Sequence, residues 1–417
     1  MGKIYIIDVT NRDGVQTAKL GLSKLEKTII NLYLNEMGVF QSEYGFPTTR
    51  HESNYLKANL ELAEMGVLKP LRLQGWIRAV AQDVETTFKM VPEIKHLNLS
   101  ISTSHQMING KFLGKKNRQD IISMMTEALD AAKSKGAETV GVNAEDGSRT
   151  ELEFLIKFGQ AAKDHGADRL RYCDTLGYES PFTIYETAKA LAENVGLPIE
   201  LHCHGDLGMA VANSVAGAKG VVDGGQDAYV NTTVNGIGER AGNADLVAVL
   251  LALTKAKGIE GKYEMGNKMD LSKSWKIAKF ASYAFSVPIP INQTGVGANA
   301  FAHASGIHAD GVLKDPDNYE LYGFEELGRV EPEFVETGRE ICTGRYGGIR
   351  GFRHVMDEIM GKSALTFKKQ EEAEKVLELV RYANVASQKP LVEDELLFIA
   401  QYPDIARKLL TMNPLDY

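Results

Sequence analysis

The chain has 417 residues, of which 44% are hydrophobic and 24% are charged, proportions that are ordinary for a globular protein. The formal net charge of −8 and a pI near 5.7 argue against nucleic acid or an anionic membrane surface as a partner. This length exceeds what one compact core accommodates, so we expect a large domain followed by smaller ones.

The cysteines and the apolar runs indicate the compartment. Cys173, Cys203 and Cys342 are far apart in the sequence and odd in number, which predicts a reducing environment without a disulfide framework. The first ten residues lack the pattern of a signal peptide. No apolar run reaches the about 18 residues that suggest a membrane-spanning helix. We therefore expect a cytoplasmic protein.

Short apolar runs alternate along the chain with segments of helical period. They predict strands at residues 4–10, 39–45, 71–78, 96–102, 139–146, 169–175, 198–204 and 227–234. Alternating strands and helices are typical of parallel βαβ units, and eight units favour an α/β fold of the (β/α)8 TIM-barrel type over an open sheet.

The domains follow from where this alternation stops. We assign residues 1–265 to the barrel, 266–325 to a linker subdomain that contains a segment rich in glycine and histidine (294–314), and 326–417 to a small, mostly helical subdomain.

Each predicted strand begins with apolar residues and ends with a polar one. These strand-end residues are Asp8, Glu43, Arg78, Ser102, Glu145, Asp174, His204 and Asn231. In (β/α)8 barrels the carboxyl ends of the strands carry the chemistry, although any single one of these residues could simply begin a loop. The pattern as a whole predicts an active site at this end of the barrel.

The end of the seventh strand, "LHCHGD", suggests a metal site. His202 and His204 are two residues apart, so in a strand they share one face. Isolated histidines are more often structural than ligating, but Asp13 after the first strand offers a carboxylate within reach. Two imidazoles and one carboxylate suit Mn²⁺, Mg²⁺, Zn²⁺ or Co²⁺ and leave open positions for a bidentate substrate.

The glycine-rich loop "VNGIGERAGNADL" is a poor dinucleotide fingerprint. We expect it instead to bring Glu239 and Asn243 over the barrel mouth.

Seven ordered motifs extend this interpretation to most of the chain. They are "DVTNRDGVQ", "EYGFP", "AEDGSR", "CDTLG", "HCHGDLGMAVANS", "NGIGERAGNADL" and "SGIHADGVLK". Together they resemble the acetyl-CoA-condensing enzymes of the isopropylmalate, homocitrate, citramalate and Re-citrate synthase family, which belong to a superfamily of metal-dependent (β/α)8 lyases. The resemblance covers residues from about 4 to 390.

The resemblance implies a role for each matching residue. Asp13, His202 and His204 would bind the divalent metal, Mn²⁺ being the expected ion, with Asn243 close by. Arg12 would stabilise the oxygen of the enolate and of the developing alkoxide. Glu145 would form the base together with His308, which in relatives reaches in from the partner subunit. The protein would therefore be an obligate homodimer with shared active sites.

Four further residues are expected to contact the substrates acetyl-CoA and a 2-oxo acid: Gln16, Arg78, Thr175 and Tyr346. Thr175 matches the residue that binds the carboxylate of the 2-oxo acid. Arg345 and Tyr346 stand where relatives carry a Lys-His-Ser-Gly type motif, which leaves the coenzyme A contacts there open.

The strand ends offer charge, which favours a dicarboxylic 2-oxo acid. Arg78 and Arg149 could bind its distal carboxylate, or could equally form structural ion pairs at the barrel rim. Gly141 replaces an arginine of the lysine-pathway homocitrate synthases. The opening, with Asn11 before Arg12, and the "KPLVEDELLFIA" tail are most similar to Re-citrate synthases, which condense acetyl-CoA with oxaloacetate.

Several alternatives stay open from the sequence. Homocitrate synthesis from 2-oxoglutarate is the second candidate, followed by isopropylmalate or citramalate synthesis. A lyase similar to HMG-CoA lyase, or an aldolase, would keep the barrel and the metal and reverse the reaction. The long C-terminal extension with its "SGIHADG" segment argues against that reversal.

Overall fold

The computed structural model describes residues 2–329, 349–363, 367 and 369–411. Eight parallel strands form a closed barrel: β1 (Lys3–Asp8), β2 (Gln41–Gly45), β3 (Arg72–Arg78), β4 (His96–Ser102), β5 (Thr139–Glu145), β6 (Arg169–Asp174), β7 (Ile199–Cys203) and β8 (Ala228–Thr232). Each strand pairs with the next, and β1 closes the barrel by pairing with both β8 and β2. All eight predicted strands and the (β/α)8 fold are confirmed. A short strand that the sequence did not predict, β9 (Glu264–Met265), pairs with β1 outside the closed ring.

The helices of the described part of the chain fall into three groups. Those around the barrel are α1 (Lys24–Met37), α2 (Ser53–Glu64), α3 (Ala81–Met90), α4 (His105–Lys111), α5 (Arg118–Ser134), α6 (Leu152–Asp164), α7 (Pro181–Val195), α8 (Ala210–Asp223) and α9 (Leu246–Lys255). The linker contains α10 (Ser274–Phe285) and α11 (Gly306–Lys314). The C-terminal group is α12 (Ile349–Ser363), α13 (Gln370–Ser387), α14 (Glu393–Gln401) and α15 (Pro403–Leu410).

Local sequence sets the ends of these helices. Ser23 and Glu26 form a reciprocal capping box at the start of α1, which satisfies backbone N–H groups that the first turn leaves free. The helix ends at Gly38, whose φ of 83° is the left-handed conformation that glycine adopts without steric cost. α5 begins with a similar box at Asn117 and Asp120.

The buried apolar side chains form three clusters, of which one is a small group made of Val247, Leu251, Ala278, Val296 and Leu327. The main core lies between the strands and the surrounding helices and continues into the C-terminal helices. A smaller cluster lies inside the barrel towards the amino-terminal ends of the strands. There the rings of Tyr5 and Tyr229 stack with centroids 4.7 Å apart, and Phe40 contacts both rings. We call Tyr5, Phe40 and Tyr229 the aromatic plug.

Between this plug and the barrel mouth the interior is charged. Arg169, Arg171, Glu200 and Glu43 are all buried, and each lies on a strand whose alternate residues face inwards. Their charges are paired with one another, which is the condition under which ionic groups are tolerated away from water. The charged layer lies directly below the predicted site.

The C-terminal helices dock on the barrel through α14 and α15, which contact α1 and α2. By contrast, α11 of the linker buries none of its residues within this chain. Among the described residues, no helix combines the length and the apolar character needed to cross a membrane.

Candidate active site

A cavity of 320 Å³ opens at the carboxyl ends of the strands. Its lining residues are Arg12, Asp13, Gln16, Trp76, Ser100, Met107, Asn143, Glu145, Arg171, Cys173, Thr175, Leu176, His202, His204, Glu239 and Arg240. Eight of the strand-end and loop residues that the sequence singled out are therefore brought to one place: Arg12, Asp13, Gln16, Glu145, Thr175, His202, His204 and Glu239.

Three predicted metal ligands converge in this cavity. Asp13, His202 and His204 are buried, and one ligand atom of each lies within 4.8 Å of those of the other two. The Nε2 atom of His202 is 2.9 Å from Asp13 Oδ2, that of His204 is 3.7 Å from it, and the two Nε2 atoms are 3.2 Å apart. Two imidazole nitrogens and a carboxylate oxygen aimed at one point form a donor set for a divalent cation.

Asn243 completes this group from the loop after β8. The backbone of Asn243 pairs with that of His204 in an isolated β-bridge, and the side-chain Nδ2 of Asn243 donates to Asp13 Oδ2 across 3.4 Å. Its Oδ1 atom is buried and has no hydrogen-bond partner among the described residues. A buried amide oxygen is normally satisfied, and because Nδ2 faces Asp13 here, Asn243 would have to turn its amide over to give this oxygen to a cation.

The electrostatics of the trio suit a metal. Burial opposes ionisation of Asp13, but the charge of Arg12 and the hydrogen bond from His202 more than offset it, and the pKa of Asp13 lies well below its usual range. Burial, together with the neighbouring His202, lowers the pKa of His204 to about 4. An ionised carboxylate and a neutral imidazole are the forms that bind metal ions.

Arg12 lies beside Asp13 and is held on several sides. Its Nε donates to Glu43 Oε2 at 2.5 Å, and its Nη1 lies 3.3 Å from Asp13 Oδ2 and 3.4 Å from Gln16 Oε1. The guanidinium also lies 5.5 Å from the ring centroid of Trp76. The arginine is therefore fixed in the cavity wall next to the metal ligands. Asn11, by contrast, points away from the cavity and anchors the loop to Asn31 and Lys27 of α1.

Glu145 lies on the opposite side of the cavity. Its carboxylate accepts from Lys111 Nζ at 2.6 and 2.7 Å and from Ser102 Oγ at 2.5 Å. The next residue, Asp146, has a left-handed backbone with φ of 60°, and its side chain is bound by Arg149 and Ser104. This bound turn orients the end of β5, and with it Glu145.

His308 lies elsewhere in the chain. It is on α11 and exposed, and its ring packs against Tyr319 with centroids 4.2 Å apart. It is not part of the cavity lining of its own chain. Its predicted action in a partner's site remains a prediction. His303, on the same segment, bonds to Glu320 at 3.0 Å.

The predicted substrate residues have different outcomes. Gln16 and Thr175 line the cavity, and Thr175 Oγ1 accepts from the backbone N–H of Asp146 at 2.9 Å. The assignment of Arg78 is not supported, because its long side chain turns outwards and forms a bidentate pair with Asp83 of α3 at 2.7 and 2.8 Å. Arg78 thus forms the structural ion pair at the barrel rim that the sequence offered as an alternative, and Arg149 forms another such pair with Asp146. Tyr346 lies outside the described residues.

Sequence reasoning missed several residues of the site. Arg171 and its carboxylate partner Glu200 carry a signal, because charges at alternate positions of "RLRYC" and "IELHC" interrupt otherwise buried strands. Asn143 lies two residues before Glu145 on β5 and faces the cavity. Lys111 carried no usable signal, because it lies in a polar segment close to two further lysines, Lys115 and Lys116.

Comparison with known proteins agrees with this geometry. A family model described as HMGL-like matches residues 3–280, and a model described as homocitrate synthase post-HMGL domain-like matches residues 296–381. Among solved structures, the HMG-CoA lyase of Bacillus subtilis has a TM-score of 0.55 at 19% identity, over 70% of this chain and 96% of that one. At this identity the similarity establishes the barrel fold alone.

Curated relatives match over nearly the whole chain. Citrate (Re)-synthase of Dehalococcoides mccartyi is 71% identical, over 100% of this chain and 99% of that protein. 2-Isopropylmalate synthase 2 of Caldanaerobacter subterraneus is 39% identical, over 97% and 96% of the two chains. Homocitrate synthase 1 of a Nostoc species is 34% identical, over 95% and 97%. The chain therefore belongs to the HMGL-like family, in the group of acetyl-CoA-dependent synthases that includes citrate (Re)-synthase, homocitrate synthase and 2-isopropylmalate synthase.

Proposed function

We propose that this chain is a citrate (Re)-synthase, which condenses acetyl-CoA with oxaloacetate and water to give citrate and coenzyme A. The observation that carries the proposal is the single cavity in which three metal ligands, Arg12 and Glu145 meet. The full-length relative of that name, at 71% identity, supports the choice of acceptor.

Each residue of the cavity has a role in this reaction. Asp13, His202 and His204, with Asn243 beside them, would hold a divalent ion, which when bound polarises the keto group of the acceptor as a Lewis acid. Thr175 would bind the carboxylate next to that keto group. Arg12 places a fixed positive charge where the enolate and alkoxide oxygens develop. Glu145 belongs to the base that removes a methyl proton from acetyl-CoA, and water then cleaves the thioester.

The cavity wall supports a polar acceptor. Ser100 and Asn143 contribute polar groups to the lining, and the buried Oδ1 of Asn143 has no partner among the described residues. A branched-chain acceptor such as 2-oxoisovalerate would leave such groups unsatisfied, at a cost of about 1–3 kcal/mol for each. At Gly141 a Cβ atom would lie 3.2 Å from Asn98 Oδ1, so the arginine of the lysine-pathway homocitrate synthases would require Asn98 to shift.

We propose Mn²⁺ as the metal, since the donor set combines imidazoles with oxygen ligands, and Mg²⁺, Co²⁺ and Zn²⁺ as alternatives.

We also propose a homodimer in the cytoplasm. α11 buries no residue in its own chain, and Ile307, Leu313 and Leu321 on and near it are strongly exposed, as expected of a segment that packs against a partner. Cys173 and Cys203 are free thiols, as a reducing compartment requires.

The test of the reaction is coenzyme A release from acetyl-CoA with Mn²⁺, comparing oxaloacetate, 2-oxoglutarate, pyruvate and 2-oxoisovalerate. We expect a clear preference for oxaloacetate and loss of activity with a chelator. Stereospecific cleavage of citrate made from labelled acetyl-CoA would identify the face of attack. Arg78→Ala is the matched control for acceptor binding, and its KM for oxaloacetate should equal that of the wild type, whereas Thr175→Ala should raise it. A preference for 2-oxoglutarate would assign homocitrate synthesis instead.

The shared site has its own test. Arg12→Ala and His308→Ala should each be inactive, because one lacks the oxyanion group and the other the base. Mixed and refolded together, they should regain part of the activity through hybrid dimers in which one site is intact. Confirmed hybrids without activity would contradict a shared site.

A further inference from the structure

Arg171 lies at the floor of the cavity, and only 1% of its surface is exposed. It bridges two carboxylates that belong to different strands. Its Nη2 donates to Glu43 Oε1 of β2 at 2.7 Å, and its Nε donates to Glu200 Oε1 of β7 at 2.7 Å. Both carboxylates are themselves buried.

The first carboxylate leads to Arg12. Glu43 accepts from Arg12 Nε at 2.5 Å through Oε2 and from Arg171 through both oxygens. Burial opposes its ionisation, but the two arginines lower the pKa of Glu43 to about 2, so it is a full carboxylate. The position of the Arg12 guanidinium is therefore set by a carboxylate that Arg171 holds from behind.

The second carboxylate leads to His202. Glu200 Oε1 accepts from Asn231 Nδ2 at 2.8 Å, and Asn231 Oδ1 lies 3.0 Å from His202 Nδ1. A carboxylate can only accept, so the amide nitrogen of Asn231 faces Glu200 and its oxygen faces the imidazole. With the Nδ1–H of His202 donating to that oxygen, Nε2, which lies beside Asp13 in the cavity, is the nitrogen left to bind a cation.

We propose that Arg171 is a positioning residue that sets two functional groups at once, the guanidinium of Arg12 and the metal-binding tautomer of His202. It contacts neither group directly and acts through Glu43 on one side and through Glu200 and Asn231 on the other. The catalytic part of this inference rests on the proposed function, whereas the part that concerns metal binding does not.

The chain offers a matched control one layer below. Arg169 is also buried on β6 and pairs with the same Glu200, at 3.1 Å through the other oxygen. Its remaining described contacts are with Gln41 at 3.3 Å and with the ring of Tyr229 at 4.6 Å. Arg169 thus shares the burial, the charge and one carboxylate of Arg171 but does not reach Glu43.

The experiment compares Arg171→Lys with Arg169→Lys. Lysine keeps the charge but cannot present the planar fork that bridges two carboxylates. For Arg171→Lys we expect kcat to fall about 10- to 100-fold and the Kd for Mn²⁺, measured by calorimetry, to rise about 10-fold, as is typical when the residues behind a metal ligand are altered. Arg169→Lys should stay within about 3-fold of the wild type in both, the spread of a neutral change.

Equal losses in the two variants would overturn the proposal, because they would indicate a general role of the charged layer in folding. Wild-type kcat and Mn²⁺ affinity in a folded Arg171→Lys would also overturn it. If Arg171→Lys does not fold, Glu200→Gln decides, since it keeps the shape but allows Asn231 to rotate; unchanged Mn²⁺ affinity there would refute the His202 half. Should the wild type release no coenzyme A with any acceptor, the proposed function fails while the Mn²⁺ comparison still tests this inference.

Discussion

The two sides of the cavity differ in how much of each is complete within one chain. The metal side consists of Asp13, His202 and His204, which are buried and joined by hydrogen bonds to further buried groups. The base side consists of Glu145, Lys111 and His308: the side chains of Glu145 and Lys111 are 29% and 50% exposed, and His308 is exposed on a helix outside the cavity. Under the proposed reaction, one chain would organise the acceptor end by itself, whereas the acetyl-CoA end would depend on exposed groups, as expected if a partner completes it.

Removing a ligand from the metal side should have the largest effect. His204→Ala deletes one of three converging donors and should lower kcat/KM for oxaloacetate by at least about 1,000-fold, or ~4 kcal/mol of transition-state stabilisation. Calorimetry should show loss of Mn²⁺ binding in parallel. His165→Ala, an exposed histidine paired with Asp130, is the control. Retained activity with Mn²⁺ binding abolished would contradict a metal-dependent reaction.

The base side should separate catalysis from metal binding. Glu145→Gln removes the carboxylate without changing its size, and general-base catalysis is worth about 10²- to 10⁴-fold, so kcat should fall in that range. Mn²⁺ affinity should stay as in the wild type, because Glu145 is not one of the converging donors. Glu151→Gln, an exposed acid close by, should behave as the wild type. A parallel loss of Mn²⁺ affinity would show that the two sides are not independent.

The buried strand behind the metal side should make stability depend on pH. Burial raises the pKa of Asp8, at the end of β1, from its ordinary value near 4 to about 7. The folded state then binds this proton more tightly than the unfolded state, so the contribution of Asp8 to stability is greatest below about pH 4, falls as the pH rises to about 7, and is level above.

Asp8→Asn removes this titration and should reduce the loss of unfolding free energy between pH 5 and pH 8 by on the order of 2 kcal/mol. Urea unfolding at both pH values, with chelator present throughout, measures it. An unchanged pH dependence in the variant would mean that Asp8 is ionised in the folded protein at pH 5.

The ion pair on the base side should matter least. Lys111 lies half exposed in its pair with Glu145, and exposed pairs contribute at most about 1 kcal/mol. Lys111→Met should therefore lower kcat by about 5-fold through looser orientation of Glu145, with Mn²⁺ affinity unchanged. Lys111→Arg should retain most of the wild-type kcat, because it keeps the positive charge. Lys115→Met is the control for the loss of a charge elsewhere on the surface. If Lys115→Met has the same effect, the role of Lys111 is one of general surface charge.

The metal side could be predicted from the sequence because two of its three ligands lie close together at the end of one strand. The two-residue spacing of His202 and His204 fixes their common face, and the closure of the barrel brings Asp13 to them. The eight strands could be predicted because short apolar runs alternate with segments of helical period. Arg78 does not line the cavity, because strand alternation fixes the Cβ direction but not where a long side chain ends, and its guanidinium pairs with Asp83 on the next helix.

The charged layer and Lys111 needed the structure. That Glu43, Arg171 and Glu200 meet depends on the stagger between β2, β6 and β7, which lie at different places around the barrel and are distant in sequence. Lys111 meets Glu145 through the packing of a loop helix on a strand end, which no sequence period reports. Side-chain contacts between different strands, unlike spacings within one strand, could not be deduced from the sequence.

Among the described residues, the aromatic plug fills the end of the barrel opposite the cavity mouth. Tyr5, Phe40 and Tyr229 close the far end of the barrel, and the charged layer fills the space above them. Substrates should therefore bind in a fixed order, because the small acceptor has to reach the metal side before the bulky thioester covers the mouth. For the same reason, the acid product should leave only after coenzyme A has dissociated. We expect initial-rate and product-inhibition patterns of an ordered reaction with the 2-oxo acid first, and a random order would mean that coenzyme A leaves a second passage open beside it.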